Sequence, residues 1–111
     1  MFKKMMDNFK SVEFEVKANM KVKYVKRNFE EAFGVPIRIY HGSKFADEDI
    51  TLSKIRHNDI KGAADMKIKM SSKVGDAEKL FLEKLGVKVQ ICDKNGELAD
   101  NNVTIGELAR A

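Results

Sequence analysis

The sequence has few of the residues that break, cross-link or loosen a chain. Its 111 residues include one proline, seven glycines, one cysteine and no tryptophan. Linkers and low-complexity tracts are usually richer in proline and glycine, so we expect no long disordered stretch in the body of the chain. The lone Cys92 excludes a disulfide within the chain, and a cytoplasmic location is the simplest interpretation.

Long apolar runs and a strong charge of one sign are also missing. No run of apolar residues approaches the roughly 20 that a membrane-spanning helix needs, so we expect no membrane association. The first residues carry Lys3 and Lys4 but not the apolar stretch of a signal peptide. The net charge of +4, from 21 Lys and Arg against 17 Asp and Glu, does not by itself indicate a nucleic-acid binder.

What is present fits one small globular domain. Apolar residues make up 43% of the chain and charged residues 34%, which allows a modest core under a heavily charged surface. The length is close to that of a single domain, so we predict one domain that covers residues 1–111.

An internal duplication organises this domain. Residues 14–22 align without gaps with residues 66–74, and in the same register Phe29 aligns with Phe81 and Gly34 with Gly86. The alignment predicts an arm (1–12), a first repeat (13–56), a linker (57–65) and a second repeat (66–111).

Each repeat has the pattern of a strand, a helix, a second strand and a turn. The first strand alternates apolar and charged residues, and the helix repeats apolar residues at helical spacing up to Gly34 or Gly86. Asn19 and Ser71 are the predicted helix N-caps. Turns follow at residues 41–44 and 93–96. Thr104 and Glu107 form a capping-box pattern that predicts a short final helix.

Two such units predict an α+β fold. The simplest assembly is a ferredoxin-like four-stranded antiparallel sheet with two helices on one face. An alternative comes from residues 37–53, where a strand, the turn at Gly42 and the sequence Thr51-Leu-Ser follow one another. This short segment resembles the second half of ubiquitin-like β-grasp domains, which implies two β-grasp-like halves that share a sheet. It implies no ubiquitin-type chemistry.

No motif for catalysis, metal or cofactor binding is found, so we predict a non-enzymatic protein without a cofactor. His41, His57 and Cys92 lie in different predicted elements, and Asp93 disfavours a thiolate at Cys92. The acidic residues 46–49 lack the pattern of a calcium loop, and Asp47 and Asp100 are better explained as acceptors for turn amides. An enzyme with a site built across the repeat interface stays open as an alternative.

Basic residues gather at the start of both predicted helices, where they oppose the helix dipole at a cost of roughly 0.3–1 kcal/mol each. Free amides and lysines together form an anion site. The candidate anion-binding residues are Lys17, Lys21, Lys23, Lys26, Arg27, Lys67, Lys69 and Lys73. Solvated lysines that only favour solubility are the competing interpretation, and it is the favoured one.

Two further surfaces are candidates for partner binding. The open face of the predicted single sheet carries Glu15, Lys17, Lys67, Lys69, Arg38, Tyr40, Lys88, Gln90 and Cys92, a polar set with one aromatic residue. The arm repeats Phe2, Met5, Met6 and Phe9 at helical spacing, which suits an adaptable partner surface or a homodimer contact. We therefore predict a small protein-binding or adaptor module, with a nucleic-acid or anion binder as the alternative.

Overall fold

The order of strands and helices is that of an α+β protein, as predicted. The structure is a computed structural model, and it describes residues 13–55 and 66–110. The first half contains β1 (Glu13–Val16), α1 (Val22–Phe33), β2 (Ile37–His41), β3 (Lys44–Phe45) and α2 (Leu52–Ile55). The second half contains β4 (Met66–Lys69), α3 (Val74–Leu80) with a π-helical continuation (Phe81–Leu85), β5 (Val89–Ile91) and α4 (Ile105–Arg110).

The described strands form two antiparallel sheets. One contains β1 and β4, and the other has the order β3-β2-β5. The expected single four-stranded sheet is therefore not what these strands build. The alternation of apolar and polar residues fixes which face of a strand is buried, but it does not choose the partner strand, so sequence reasoning did not separate the two sheets.

Both sheets are centred on residues from equivalent places in the two halves. Glu15 lies opposite Lys67 in the β1–β4 pair, and Arg38 lies opposite Gln90 in the β2–β5 pair. Residues 15 and 67, like residues 38 and 90, are 52 positions apart, which is the offset of the sequence alignment. Each half of the chain thus supplies one strand to each of these two pairs.

The start of α1 is capped by backbone rather than by a side chain. Its N-cap is Lys21, with no side-chain hydrogen bond, so the predicted cap at Asn19 is wrong. The chain after β3 folds back onto the helix, and Val22 N–H donates to the Ile50 carbonyl at 2.8 Å. Lys23 N–H donates to the Glu48 carbonyl at 3.0 Å. These carbonyls accept the hydrogen bonds from the first helical amides that the Asn19 side chain was predicted to accept.

The start of α3 repeats this arrangement. Its N-cap is Lys73, which corrects the predicted cap at Ser71. Val74 N–H donates to the Val103 carbonyl at 2.8 Å, and Gly75 N–H donates to the Asn101 carbonyl at 3.0 Å. In both helices, therefore, backbone carbonyls from a later segment of the same half accept hydrogen bonds from the first amides.

The ends of the helices follow the sequence more closely. Gly34 and Gly86 adopt φ angles of 79° and 67° as the predicted C-terminal caps. The capping box of α4 is also confirmed. Thr104 N–H donates to Glu107 Oε1 at 3.0 Å, and Glu107 N–H donates to Thr104 Oγ1 at 3.1 Å. The bond from the Thr104 backbone holds the pKa of Glu107 below its usual value.

A single hydrophobic core joins the inner faces of both sheets to the helices. Phe14 from β1 packs edge-on against Phe29 of α1, with ring centroids 5.3 Å apart, and Phe29 lies 4.9 Å from Phe33. From the second half, α3 and its continuation bury Val74, Ala77, Phe81 and Leu85. The predicted apolar faces of both helices are the ones that are buried, apart from Ala32, which is half-buried.

Two predictions concern parts of the chain outside the described residues. The arm at 1–12, with Phe2, Met5, Met6 and Phe9, and the linker at 57–65 belong to these parts. Within residues 13–55 and 66–110, no helix has both the length and the apolar character needed to cross a membrane.

Candidate binding surface

The outer faces of the two sheets differ in chemistry. On the β1–β4 sheet, Glu15 faces Lys67 across the strands, and the register also places Glu13 opposite Lys69. Opposite charges at facing positions favour a sheet by about 0.2–1 kcal/mol per pair. The register of this sheet therefore places each glutamate of β1 opposite a lysine of β4.

The outer face of the β3-β2-β5 sheet carries aromatic and cationic groups instead. Its residues are Arg38, Tyr40, Phe45, Lys88, Gln90 and Leu98, which we call the aromatic–cationic face. Phe45 lies opposite Tyr40 in the β2–β3 hairpin, and Leu98 forms a bridge with Cys92 at the other side of the sheet. None of the six residues carries a negative charge.

Aromatic rings and cations are in contact on this face. The Tyr40 and Phe45 rings lie 5.3 Å apart at an interplanar angle of 31°. Lys88 Nζ lies 5.3 Å from the centre of the Tyr40 ring, and the Arg38 guanidinium lies 6.0 Å from that of Phe45. Phe45 is nevertheless 67% exposed. Because the Phe45 ring contacts the Tyr40 ring, the two form a contiguous apolar patch, and contiguous patches mark contact surfaces where isolated apolar residues do not.

Arg38 holds the centre of this face in place. Its Nη2 donates a hydrogen bond to the Gly96 carbonyl at 3.0 Å. A hydrogen bond with Tyr40 is the main cause that raises the pKa of Arg38. The Tyr40 hydroxyl in turn donates to Gln90 Oε1. These bonds connect β2 with β5 and with the 93–96 turn, so the face is largely preorganised.

A shallow depression of about 330 Å³ lies at one side of the aromatic–cationic face. Ile39, Ala46 and Phe45 line it with apolar groups, and Arg38, Lys26 and Glu48 supply its polar rim. Lys26 Nζ pairs with Glu48 Oε2 at 2.9 Å. The volume is at the lower limit of small-molecule sites, which occupy roughly 300–1,000 Å³.

Cys92 does not belong to the exposed surface where the sequence placed it. Its side chain is buried, although the alternation of residues in β5 predicted that it would be outward-facing. Arg38 contacts the thiol, and Leu98 pairs with the Cys92 backbone. Burial is the main cause that raises the pKa of Cys92, and the charge of Asp93 acts in the same direction. A buried thiol with a raised pKa is a poor nucleophile.

The predicted single open face is in fact two faces. Glu15, Lys17, Lys67 and Lys69 lie on or next to β1 and β4, while Arg38, Tyr40, Lys88 and Gln90 lie on or next to β2 and β5. Phe45 completes the second face, and sequence reasoning did not single it out. A large aromatic residue within a polar turn was the available indication.

The basic residues that were predicted to form an anion site differ in their surroundings. Lys23 pairs with Asp49 at 2.8 Å and Lys26 with Glu48 at 2.9 Å, while Arg27 lies 3.9 Å from Glu31. Lys21 and Lys73 are exposed N-caps, Lys17 is exposed after β1, and Lys67 and Lys69 lie on β4. The first amides of both helices donate to backbone carbonyls, so an anion there has to rely on lysine side chains.

The carboxylates of Asp47 and Asp100, at corresponding turns of the two halves, accept hydrogen bonds from nearby backbone amides. Asp47 Oδ1 accepts from Asp49 N–H at 2.8 Å, and Asp100 Oδ1 accepts from Asn102 N–H at 2.7 Å, as predicted. Among the described residues, no group of three or more His, Cys, Asp or Glu side chains is arranged to hold a metal ion.

Glu78 of α3 performs a structural task that the sequence did not reveal. Its Oε2 accepts a hydrogen bond from the Ile91 N–H of β5 at 2.8 Å. Burial raises the pKa of Glu78 above its usual value, because the half-buried position gives the ionised carboxylate less hydration than it has in water. The residue at the equivalent place in the first half is Lys26, which pairs with Glu48 instead.

We expect Glu78→Gln to remove a pH dependence without weakening the fold. The folded-state pKa is raised, so the contribution of Glu78 to stability is fully present below the unfolded-state pKa and is lost as the pH rises through the folded-state value. A glutamine oxygen still accepts from Ile91 N–H but carries no charge. Melting temperatures of both proteins between pH 3 and 8 should therefore diverge in favour of the variant as the pH rises.

Glu78→Leu is the matched control for this experiment. Leucine leaves the Ile91 N–H without its acceptor, which costs about 1–3 kcal/mol at every pH. A Gln variant that is as unstable as the Leu variant would show that the carboxylate charge itself, and not the hydrogen bond, stabilises β5.

No protein-family model, curated protein or solved structure matches this chain.

Proposed function

We propose that the protein is a small non-enzymatic module that binds another protein through the aromatic–cationic face. The contrast between the two outer sheet faces supports this proposal. One face pairs each glutamate with a lysine, while the other combines a 67% exposed phenylalanine with a tyrosine and two cations. Aromatic residues and arginine are enriched in the centres of protein interfaces. The lone cysteine agrees with a cytoplasmic protein.

The composition of the aromatic–cationic face favours side-chain contacts over strand addition. Of the two edge strands, β3 has only two residues, and in β5 the Ile91 N–H and carbonyl already bond to Glu78 and Ala99, which leaves little backbone for an added strand. Phe45, Tyr40 and Arg38 instead present large side chains that are held by one another. Preorganised aromatic and arginine side chains of this kind commonly dominate the binding energy of an interface.

We also propose that the chain arose by duplication of its strand–helix–strand unit. The proposal is supported by hydrogen bonds that recur at corresponding positions. Tyr40 N–H donates to the Lys88 carbonyl and Cys92 N–H donates to the Pro36 carbonyl, both at 3.0 Å. The halves differ on the aromatic–cationic face, where Tyr40 corresponds to Cys92. After a duplication, such differences are the places where one copy acquires a binding role.

Replacing Phe45 by alanine is expected to abolish partner capture while the fold remains intact. Truncation of an interface hot spot costs at least about 2 kcal/mol, or roughly a thirtyfold loss of affinity. Because Phe45 is mostly exposed, the stability of the protein should change by less than about 1 kcal/mol. The measurement is affinity capture with the tagged full-length chain from extracts of the native organism, followed by mass spectrometry and by thermal unfolding of the variant.

Tyr24→Ala is the matched control. Tyr24 is an aromatic residue on α1 that is 40% exposed and also contacts two cations, Lys23 and Arg27. We expect this variant to retain the captured proteins. Capture that Phe45→Ala leaves unchanged would refute the proposed surface.

A further inference from the structure

We infer that the partner of the aromatic–cationic face is an acidic protein segment that places an apolar side chain between carboxylates. This inference rests on the proposed function and adds the chemistry of the partner. Three observations carry it, namely the sign of the charge on the face, the occupation of its aromatic rings and the lining of the adjoining depression.

Among the residues that the structure describes, no carboxylate forms an ion pair with the positive charges of this face. Arg38 and Lys88 are its two charged residues, and both lie against aromatic rings rather than against carboxylates. The carboxylate of Glu48 at the rim is already paired with Lys26. Asp93 Oδ1 accepts from the backbone of Asn95 at 2.8 Å. A complementary partner therefore supplies negative charge.

The rings are engaged in a way that favours carboxylates over nucleic-acid bases. Tyr40 contacts Phe45 and has Lys88 over its ring, while Phe45 contacts Tyr40 and has Arg38 nearby. A base that stacks on Tyr40 would have to displace Lys88 from the ring, whereas a carboxylate would bind the cations where they lie. The observations therefore favour an acidic protein segment over single-stranded nucleic acid.

The depression explains why an apolar side chain belongs to the segment. Ile39 and Ala46 are otherwise buried residues that reach its surface, and Phe45 forms one wall. An apolar side chain of the partner placed there would cover the exposed ring of Phe45. Arg38 on the rim then faces a neighbouring residue of the segment, and Lys88 on the same face is available to a second carboxylate. An acidic–apolar–acidic sequence would supply both the apolar side chain for the depression and the carboxylates for the cations.

The test is fluorescence anisotropy with the full-length protein and three labelled probes. The probes are a peptide that alternates Glu and Leu, the same peptide with Gln in place of Glu, and single-stranded DNA of matched length. We expect the Glu peptide to bind at least about tenfold more tightly than the Gln peptide. This difference should decrease as the salt concentration rises from about 50 mM to about 300 mM, since exposed charges are screened.

Variants locate the binding on the face. Arg38→Gln and Lys88→Gln should each weaken binding of the Glu peptide by about three- to tenfold. Lys84→Gln, which removes the same charge from an exposed position outside the face, should not. Because Arg38 also bonds Gly96, the exposed Lys88 gives a second variant that does not depend on that contact.

Each other result overturns the inference. Equal binding of the Glu and Gln peptides, or no peptide binding at all, removes the acidic character of the partner. Binding of DNA that is tighter than that of the peptide and sensitive to Lys88→Gln assigns the face to nucleic acid. Phe45-dependent capture of proteins without a preference for the Glu peptide would leave the proposed function standing and reject only this chemistry.

Discussion

Replacing Phe29 by alanine should destabilise the protein by about 4 kcal/mol, because truncation of a fully buried phenylalanine costs roughly 3–5 kcal/mol. The Phe29 side chain is completely buried and lies within 6 Å of two other rings, with centroid distances of 5.3 Å to Phe14 and 4.9 Å to Phe33. A domain of this size has a total stability of about 5–15 kcal/mol, so the loss is a large part of it. Urea unfolding followed by circular dichroism measures the change.

Two further variants define what this result means. Tyr24→Ala removes an aromatic ring from the exposed side of the same helix, and we expect a cost below about 1 kcal/mol. Phe81→Ala truncates the residue at the corresponding place in the second half, which is equally buried, so a cost similar to that of Phe29→Ala is expected. A Phe29 variant that unfolds at the same urea concentration as the Tyr24 variant would contradict the single core.

Cys92 should resist thiol reagents in the folded protein by a factor of at least about a thousand relative to the unfolded chain. The residue is only 1% exposed, and burial raises its pKa, so both access and thiolate formation are suppressed. If reaction requires global opening, the protection factor follows the folding equilibrium constant of about 10³–10⁸. The measurement is the rate of reaction with a coloured disulfide reagent at pH 8, with and without guanidinium.

We also expect the Cys92 thiol to make the protein less stable at alkaline pH. Its folded-state pKa is raised, so its contribution is fully present below the unfolded-state pKa and is lost as the pH rises through the folded-state value. Cys92→Ser provides the control, since serine does not titrate in this range. The prediction of slow labelling would be wrong if Cys92 reacted rapidly in the native protein, because this would show that the thiol is accessible.

The sequence by itself determined the buried faces of the helices, their C-terminal ends and the cap of the last helix. Apolar spacing identified the faces of α1 and α3, since a residue recurring at helical spacing turns to one side whatever the fold. Gly34 and Gly86 marked the helix ends because glycine adopts positive φ without strain, and the Thr104–Glu107 capping box is local to a single turn. Asp47 and Asp100 were likewise correctly predicted to accept from turn amides.

Only the tertiary structure decided the features that involve residues far apart in sequence. Alternation in a strand is the same for any partner, so the division into β1–β4 and β3-β2-β5 sheets could not be read from it. The carbonyls of Ile50 and Val103 replaced the predicted side-chain caps, because a distant segment folds back onto each helix start. Phe45 became part of a binding surface only when the hairpin brought it against Tyr40 and near Arg38. Long-range packing therefore set both the sheet pairing and the candidate site, since each depends on which segments meet in space.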